Sequence, residues 1–406
     1  MDAARVIGVL GAGTMGSGIA QLAARSGART VLHDPIPDAL TRGVQRARDG
    51  LAKEAARGKL TDEQARRAAE SLEPVNDMAQ LADCELVIEA APERPELKRE
   101  LYERLSEIVS ERCVLATNTS SLLVTAIAAG ASHPERVVGM HFFNPAPLMR
   151  LLEVVAGVES STEALALAQA TGEAMGKTVI QAQDGPGFLV NRCNRPFGLE
   201  ALRLLQERIA DIETIDRIMR IEGGFRMGPF ELMDLVGVDT GLEISISFYE
   251  QSFYEPRWRP SPIAARYVAA GLHGRKTGRG YYDYSRDPYR PPDPDPPADG
   301  AATNAQPAAG GVLERILCQV INECAFALGE GVGSAQDIDT GMILGLNYPR
   351  GPLAWADEIG LDRVLAVLDS LWEKYREERY RPAPELRRLV RAGRLGRATG
   401  AGFFEY

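Results

Sequence analysis

Residues 5–27, RVIGVLGAGTMGSGIAQLAARSG, decide the fold. An apolar run with β-branched residues stops at Gly11, and an Ala-rich amphipathic segment starts three residues later. The order is therefore strand, turn, helix. Gly11, Gly13 and Gly16 form G-x-G-x-x-G: the first allows the tight turn, the second lets a pyrophosphate approach the backbone, and the third lets helix and strand pack closely. Thr14 and Met15 open the helix, whose free N–H groups and dipole favour an anion. The next strand, ARTVLHD, ends in Asp34, a carboxylate suited to both hydroxyls of an adenine ribose and repulsive to a 2′-phosphate. These residues predict an NAD site on an α/β domain, with a ligand-free tight turn as the plain alternative.

The chain has 406 residues, room for two or three domains. A net charge of −10 leaves no electrostatic footprint for nucleic acid, so a polyanionic ligand would need a local basic patch. The five Cys show no CxxC or metal-ligand spacing and lie in apolar segments, which reads as buried thiols in a reducing compartment and no metal site. No signal sequence precedes Val6 and no apolar run approaches about eighteen residues, so the expectation is a soluble, cytoplasmic protein with no membrane partner.

Beyond Asp34 the chain leaves strand–helix alternation. Residues 36–72 read as a long polar helical stretch, broken where Gly58 stops one helix and Thr61 with Gln64 makes a capping box for the next. Lys53 and Arg57, four apart, share a helix face, either as a solvated basic surface or as a clamp for ligand phosphates. Strands resume in CELVIEAAPE, ending at Glu89 with Glu93 in its loop. A helix with Lys98 follows, then CVLATNTSS, ending in Asn118, Thr119, Ser120 and Ser121. The stretch 137–155, VVGMHFFNPAPLMRLLEVV, reads as a strand over 137–140 that stops at His141, a Pro-bounded loop with Asn144, and a second strand carrying Glu153. Ligands of open parallel sheets bind beyond the carboxyl ends of the strands, so Glu93, Asn118, Ser120 and His141 are expected to converge on one crevice. There Glu153 can hold the imidazole in one tautomer and favour its charged form, although such a pair also occurs as a purely structural bond. Imidazole, with an ordinary pKa of about 6.5, can accept a proton at neutral pH.

From Gly187 the pattern is helical, with amphipathic segments at 188–208 and 212–222 and a helix near 262–271. Residues 286–311 are too rich in Pro, Asp, Ala and Gly to bury a core and read as a linker. The helical pattern then repeats. Residues 215–239 match 338–362 at a constant offset of 123, which pairs Asp216 with Asp339, Gly228 with Gly351 and Asp239 with Asp362. TGRGYYDY (277–284) recurs as TGAGFFEY (399–406). The same offset carries Glu200 to Glu323 but Asn191 to Glu314, so the second copy reads as structural. The expected divisions are 1–185, 186–285, the linker 286–311, and 312–406.

Taken in order, GAGTMGSGIAQ, VIEAAPE, TNTSS, HFFNPAPLMRLLEVV and GPGFLVNR resemble the NAD-dependent L-3-hydroxyacyl-CoA dehydrogenase family, over residues 5–285. The resemblance implies a Rossmann-type dinucleotide-binding domain followed by two tandem all-α domains like the C-terminal domain of 6-phosphogluconate dehydrogenase. It also implies His141 as catalytic base, Glu153 as its orienting partner, and Ser120 and Asn191 hydrogen-bonded to the substrate. Glu93, Lys98, Asn118 and Asn144 would lie on the nicotinamide side, and Lys53 and Arg57 on the CoA moiety. Ser120 and Asn191 could instead cap the helices that follow them. The helical domain forms the homodimer interface in single-copy relatives, so the second copy is expected to pack on the first within the chain, giving a monomer or a homodimer of whole chains. The tandem form is similar to the phenylacetate-catabolism members. A small-sugar-acid dehydrogenase resembling gulonate dehydrogenase, and a non-catalytic NAD-binding scaffold, are the competing readings. Short, longer and dicarboxylic acyl groups would meet the same catalytic set, and no single basic residue stands out as an anchor for a distal carboxylate.

Overall fold

A computed structural model describes residues 2–293 and 311–406, as two units, Met1–Phe188 and Leu189–Tyr406. The first unit holds eight strands: β1 Val6–Leu10, β2 Arg29–His33, β3 Leu72–Val75, β4 Leu86–Glu89, β5 Val114–Thr117, β6 Val137–Phe142, β7 Leu151–Ala156 and β8 Thr178–Gln183. They form one sheet in the order β3-β2-β1-β4-β5-β6-β7-β8, parallel throughout except where β6 meets β7. The strand order reverses between β1 and β4, and the crevice of such a sheet opens at that switch, beyond the carboxyl ends. Strands β1, β4, β5 and β6 are apolar runs buried almost throughout, as a parallel sheet covered on both faces requires.

The helices of this unit are α1 Thr14–Arg25, α2 Pro37–Ala56, α3 Asp62–Glu70, α4 Pro95–Ile108, α5 Val124–Ala128 and α6 Thr162–Ala174. Thr61 caps α3 through its side chain, and Gln64 answers from the third helical position. Two expectations change here. The polar stretch ends in β3, a strand hidden by Pro74; proline is tolerated because β3 is the sheet edge. Strand β6 runs through His141 instead of stopping there, because its pairing with β7 extends to Phe142. Arg57 is the residue just after α2, and its N–H donates to the Lys53 carbonyl at 3.2 Å, so it stands one turn above Lys53 at the helix end.

The second unit is helical. Its first copy has α7 Val190–Gln206, α8 Ile212–Ile221, α9 Pro229–Val236, α10 Val238–Gln251 and α11 Pro262–Ala269. Its second copy has α12 Val312–Gly329, α13 Ala335–Leu346, α14 Pro352–Ile359, α15 Leu361–Tyr375 and α16 Pro384–Arg391. The repeat has a physical cause in each copy. Asp216 accepts from Phe230 N and Glu231 N, fixing the start of α9; Asp339 accepts from Leu353 N and Ala354 N, fixing the start of α14. A Cβ on Gly228 or Gly351 would stand 2.3 or 2.2 Å from that aspartate's Cγ, so each turn admits only glycine. Asp234 and Asp357 likewise hold Tyr281–Tyr282 and Phe403–Phe404 by their backbone N–H groups.

Helices α7 and α12 pack against each other with reciprocal ion pairs. Arg192 meets Glu323 at 2.9 Å, and Arg315, the equivalent of Arg192, meets Glu200, the equivalent of Glu323. The segment read as the start of the linker is docked: Tyr289 and Arg290 both bind Glu231, and Asp293 binds Arg220. Charge and aromatic anchoring override the proline-rich composition there. The rest of that linker, 294–310, lies outside the described residues. All five cysteines are buried and free, as expected. Among the described residues no helix is long and apolar enough to cross a membrane, and no group of metal-ligating side chains occurs.

Candidate active site

The glycine turn between β1 and α1 is shaped from both sides. Gly11 adopts φ +102°, and its N–H donates to the His33 carbonyl at 2.8 Å. A Cβ on Gly16 would stand 1.8 Å from the Gly11 carbonyl oxygen. At Gly13, which precedes α1, a Cβ would meet nothing within 4 Å. Nothing within the protein fills that space, and open space at a helix start with no acidic residue in its first turn fits a pyrophosphate. Asp34, just after β2, accepts from Ala12 N at 2.8 Å and Ile36 N at 2.9 Å, so its carboxylate is fixed beside the loop. Thr14 starts α1, and Met15 packs partly buried on the core. Arg46 of α2, which the sequence reading passed over, binds the Ala12 carbonyl at 3.1 Å and overhangs the same loop. The residues fit NAD.

The carboxyl ends of β4, β5 and β6 are stitched to one another. Glu93, in the loop after β4, accepts from Thr119 Oγ1 and Ser120 N, both at 2.9 Å. Asn118, after β5, accepts on Oδ1 from Phe142 N at 2.9 Å, joining that loop to β6. Ser120 is exposed. It does not cap α5; Asp184 does, taking Val124 N and Thr125 N on its two oxygens. Lys98 differs most from expectation. Its side chain is 1% exposed, with Nζ 2.7 Å from Glu89 and 3.2 Å from Glu93, so it holds a carboxylate from beneath and offers a ligand little direct contact. Burial makes that pairing obligatory. Thr117 completes the cluster by donating to Glu89. Helical spacing alone cannot reveal an ammonium that folds back under the sheet.

Residues His141 and Glu153 sit directly opposite each other in the antiparallel β6–β7 pair. Nδ1 lies 2.6 Å from Oε2, with the side chains 7% and 0% exposed. A carboxylate partner assigns the proton to Nδ1 and leaves Nε2 as the acceptor. Phe143 and Phe188 flank the imidazole, at 4.7 and 5.7 Å between ring centres. Asn144 follows, exposed. Lys53 is exposed in the last turn of α2 and Arg57 exposed just past it, neither in an ion pair among the described residues. Asn191 is the second residue of α7, and the residue at that helix's cap position is Leu189, without a side-chain cap bond.

A dinucleotide loop, with a buried His–Glu pair on the same sheet, defines the class: a nicotinamide-dependent dehydrogenase. Residues 6–185 match the NAD-binding domain model of 3-hydroxyacyl-CoA dehydrogenase. Residues 187–284 and 310–406 both match the model of that family's C-terminal domain. The chain belongs to the 3-hydroxyacyl-CoA dehydrogenase family and is an NAD-dependent enzyme of that activity. It is 36% identical to the 3-hydroxyadipyl-CoA dehydrogenase of Escherichia coli K12, over 94% of this chain and 97% of that one. It is 41% identical to a probable 3-hydroxybutyryl-CoA dehydrogenase of Deinococcus radiodurans, over 68% of this chain and 99% of the relative. A crystal structure of 3-hydroxybutyryl-CoA dehydrogenase from E. coli K12 is similar at a TM-score of 0.88, with 36% identity, covering 96% of this chain and 99% of that one.

Proposed function

We propose that the chain reversibly oxidises (S)-3-hydroxyacyl-CoA to 3-oxoacyl-CoA, with His141 as general base oriented by Glu153. The observation that carries this is the 2.6 Å bond between two side chains set opposite each other by strand register. When bound, NAD supplies the hydride acceptor for the C3 hydrogen. His141 Nε2 takes the hydroxyl proton as the carbonyl forms. The resulting imidazolium faces the buried Glu153 carboxylate, a charge-assisted bond that strengthens as the ring becomes charged. In the reducing direction the same nitrogen returns the proton. Phe143 and Phe188 pack on the ring and limit water at it.

In this reading Ser120 and Asn191 hydrogen-bond the 3-oxygen and the thioester carbonyl. Glu93, Asn118 and Asn144 serve the nicotinamide side, with Lys98 fixing Glu93. Lys53 and Arg57 meet the CoA phosphates, and the second helical copy acts as a built-in partner for the first, whether the whole chain is a monomer or a homodimer. The setting is fatty-acid or aromatic-acid degradation in the cytoplasm. The direct test is oxidation of NADH with acetoacetyl-CoA or a longer 3-oxoacyl-CoA. Steady turnover is expected, slower with NADPH because Asp34 opposes a 2′-phosphate; absence of turnover on all of them would reject the reading.

A further inference from the structure

Arg195 lies four residues after Asn191 on α7, so the two share a helix face one turn apart. It lines a cavity of about 120 Å³ between α7, α9 and α10, whose walls include Leu199, Met233, Val236 and Leu242. Its Nη1 donates to Ser245 Oγ at 3.1 Å, and its charge lies 5.0 Å from the centre of the Phe248 ring. Its Nε is buried without a hydrogen-bond partner. No carboxylate pairs with it among the described residues. Other arginines of the helical unit, buried or half-buried, are treated differently: Arg192 and Arg257 share Glu323, Arg220 has Glu231, and Arg315 has Glu200. Burial without an anion pulls the Arg195 guanidinium down to about 10. A desolvated, forked donor in an apolar cavity is matched by a planar carboxylate brought in by a ligand.

We propose that Arg195 is a specificity-determining residue, taking the terminal carboxylate of a dicarboxylic 3-hydroxyacyl group. The inference rests on the proposed function, in which Asn191 holds the substrate near C3. A six-carbon diacid chain carries its terminal carboxylate three bonds beyond C3, a reach comparable with one helical turn of about 5.4 Å. The apolar walls then cover the intervening methylenes, and Ser245 shares the guanidinium with the carboxylate.

The test compares 3-hydroxyadipyl-CoA with 3-hydroxyhexanoyl-CoA, the same chain ending in a methyl group, on the wild type, Arg195→Met and Arg195→Lys. The wild type should favour the diacid in kcat/KM by about 10²-fold or more, as a site built for a hydrogen-bonding group rejects the analogue lacking it. Arg195→Met should bring the ratio to near unity or below, mainly through KM, and Arg195→Lys should keep part of the preference, with charge but no fork. Should Arg195→Met not fold, inhibition of the wild type by adipyl-CoA against hexanoyl-CoA gives the same comparison, with the diacid expected to bind more tightly. Equal use of both substrates by the wild type, or parallel losses on both in the variants, would overturn the role of Arg195 and leave the dehydrogenase reading standing. Turnover of neither would overturn both.

Discussion

Gly13 and Gly16, three residues apart, are small for opposite reasons. Gly16 is confined by the protein, with a Cβ placed 1.8 Å from a carbonyl oxygen; Gly13 faces open space. Gly16→Ala should therefore lower stability by about 1–3 kcal/mol or more, through overpacking against backbone. Gly13→Ala should leave the melting temperature within the range of about 0.5 kcal/mol typical of surface changes, yet weaken NADH binding. Thermal melts and NADH titration by fluorescence would check both. A Gly13→Ala protein that binds NADH like the wild type would show that the loop is not the pyrophosphate cradle. At this scale the sequence was readable wherever a residue's chemistry is fixed by its immediate neighbours, as with Asp34 and the glycines. It was not readable for Lys98, whose ammonium reaches Glu89 of β4 and the Glu93 loop, nor for Arg195, whose distinction is a missing carboxylate.

The elements place the site. The antiparallel turn from β6 to β7 sets His141 against Glu153, and a shift of one residue in register would turn Glu153 to the other face of the sheet. Helix α5 depends on Asp184, which reaches it from beyond β8 and satisfies two N–H groups at its start. Asp184→Ala should cost about 1–2 kcal/mol, the usual penalty for losing such a cap, whereas Ser120→Ala should leave stability unchanged and act on turnover. The reverse pattern in thermal melts and kinetics would return Ser120 to a capping role. Strand β1, α1 and the capping box of α3 announce themselves through local chemistry. Strand β3, with Pro74, and α10, rich in β-branched residues, go against local propensity and are fixed by what they pack on.

At the scale of the whole chain, the duplicated helical region is visible in sequence because both copies need the same buried aspartates and the same glycines. What the offset cannot show is that Arg192, Glu200, Arg315 and Glu323 form a reciprocal set, the pattern of an isologous interface within one chain. Burial raises both carboxyls above their ordinary range even beside arginine, so the cost of desolvation offsets much of the attraction in these pairs. Deleting 312–406 should expose the α12-facing side of α7 and give aggregation or a new dimer by sedimentation; a soluble, unchanged monomer would contradict the built-in-partner reading. In the proposed function, the sheet, its two antiparallel strands and one histidine together make a base for 3-hydroxyacyl-CoA. The most direct measurement is NADH oxidation with acetoacetyl-CoA, or the best 3-oxoacyl-CoA found, by wild type and His141→Ala. Turnover is expected in the wild type, with a loss of about 10²- to 10⁴-fold in kcat in the variant and NADH still bound. Full activity in His141→Ala would contradict the role of His141 as base.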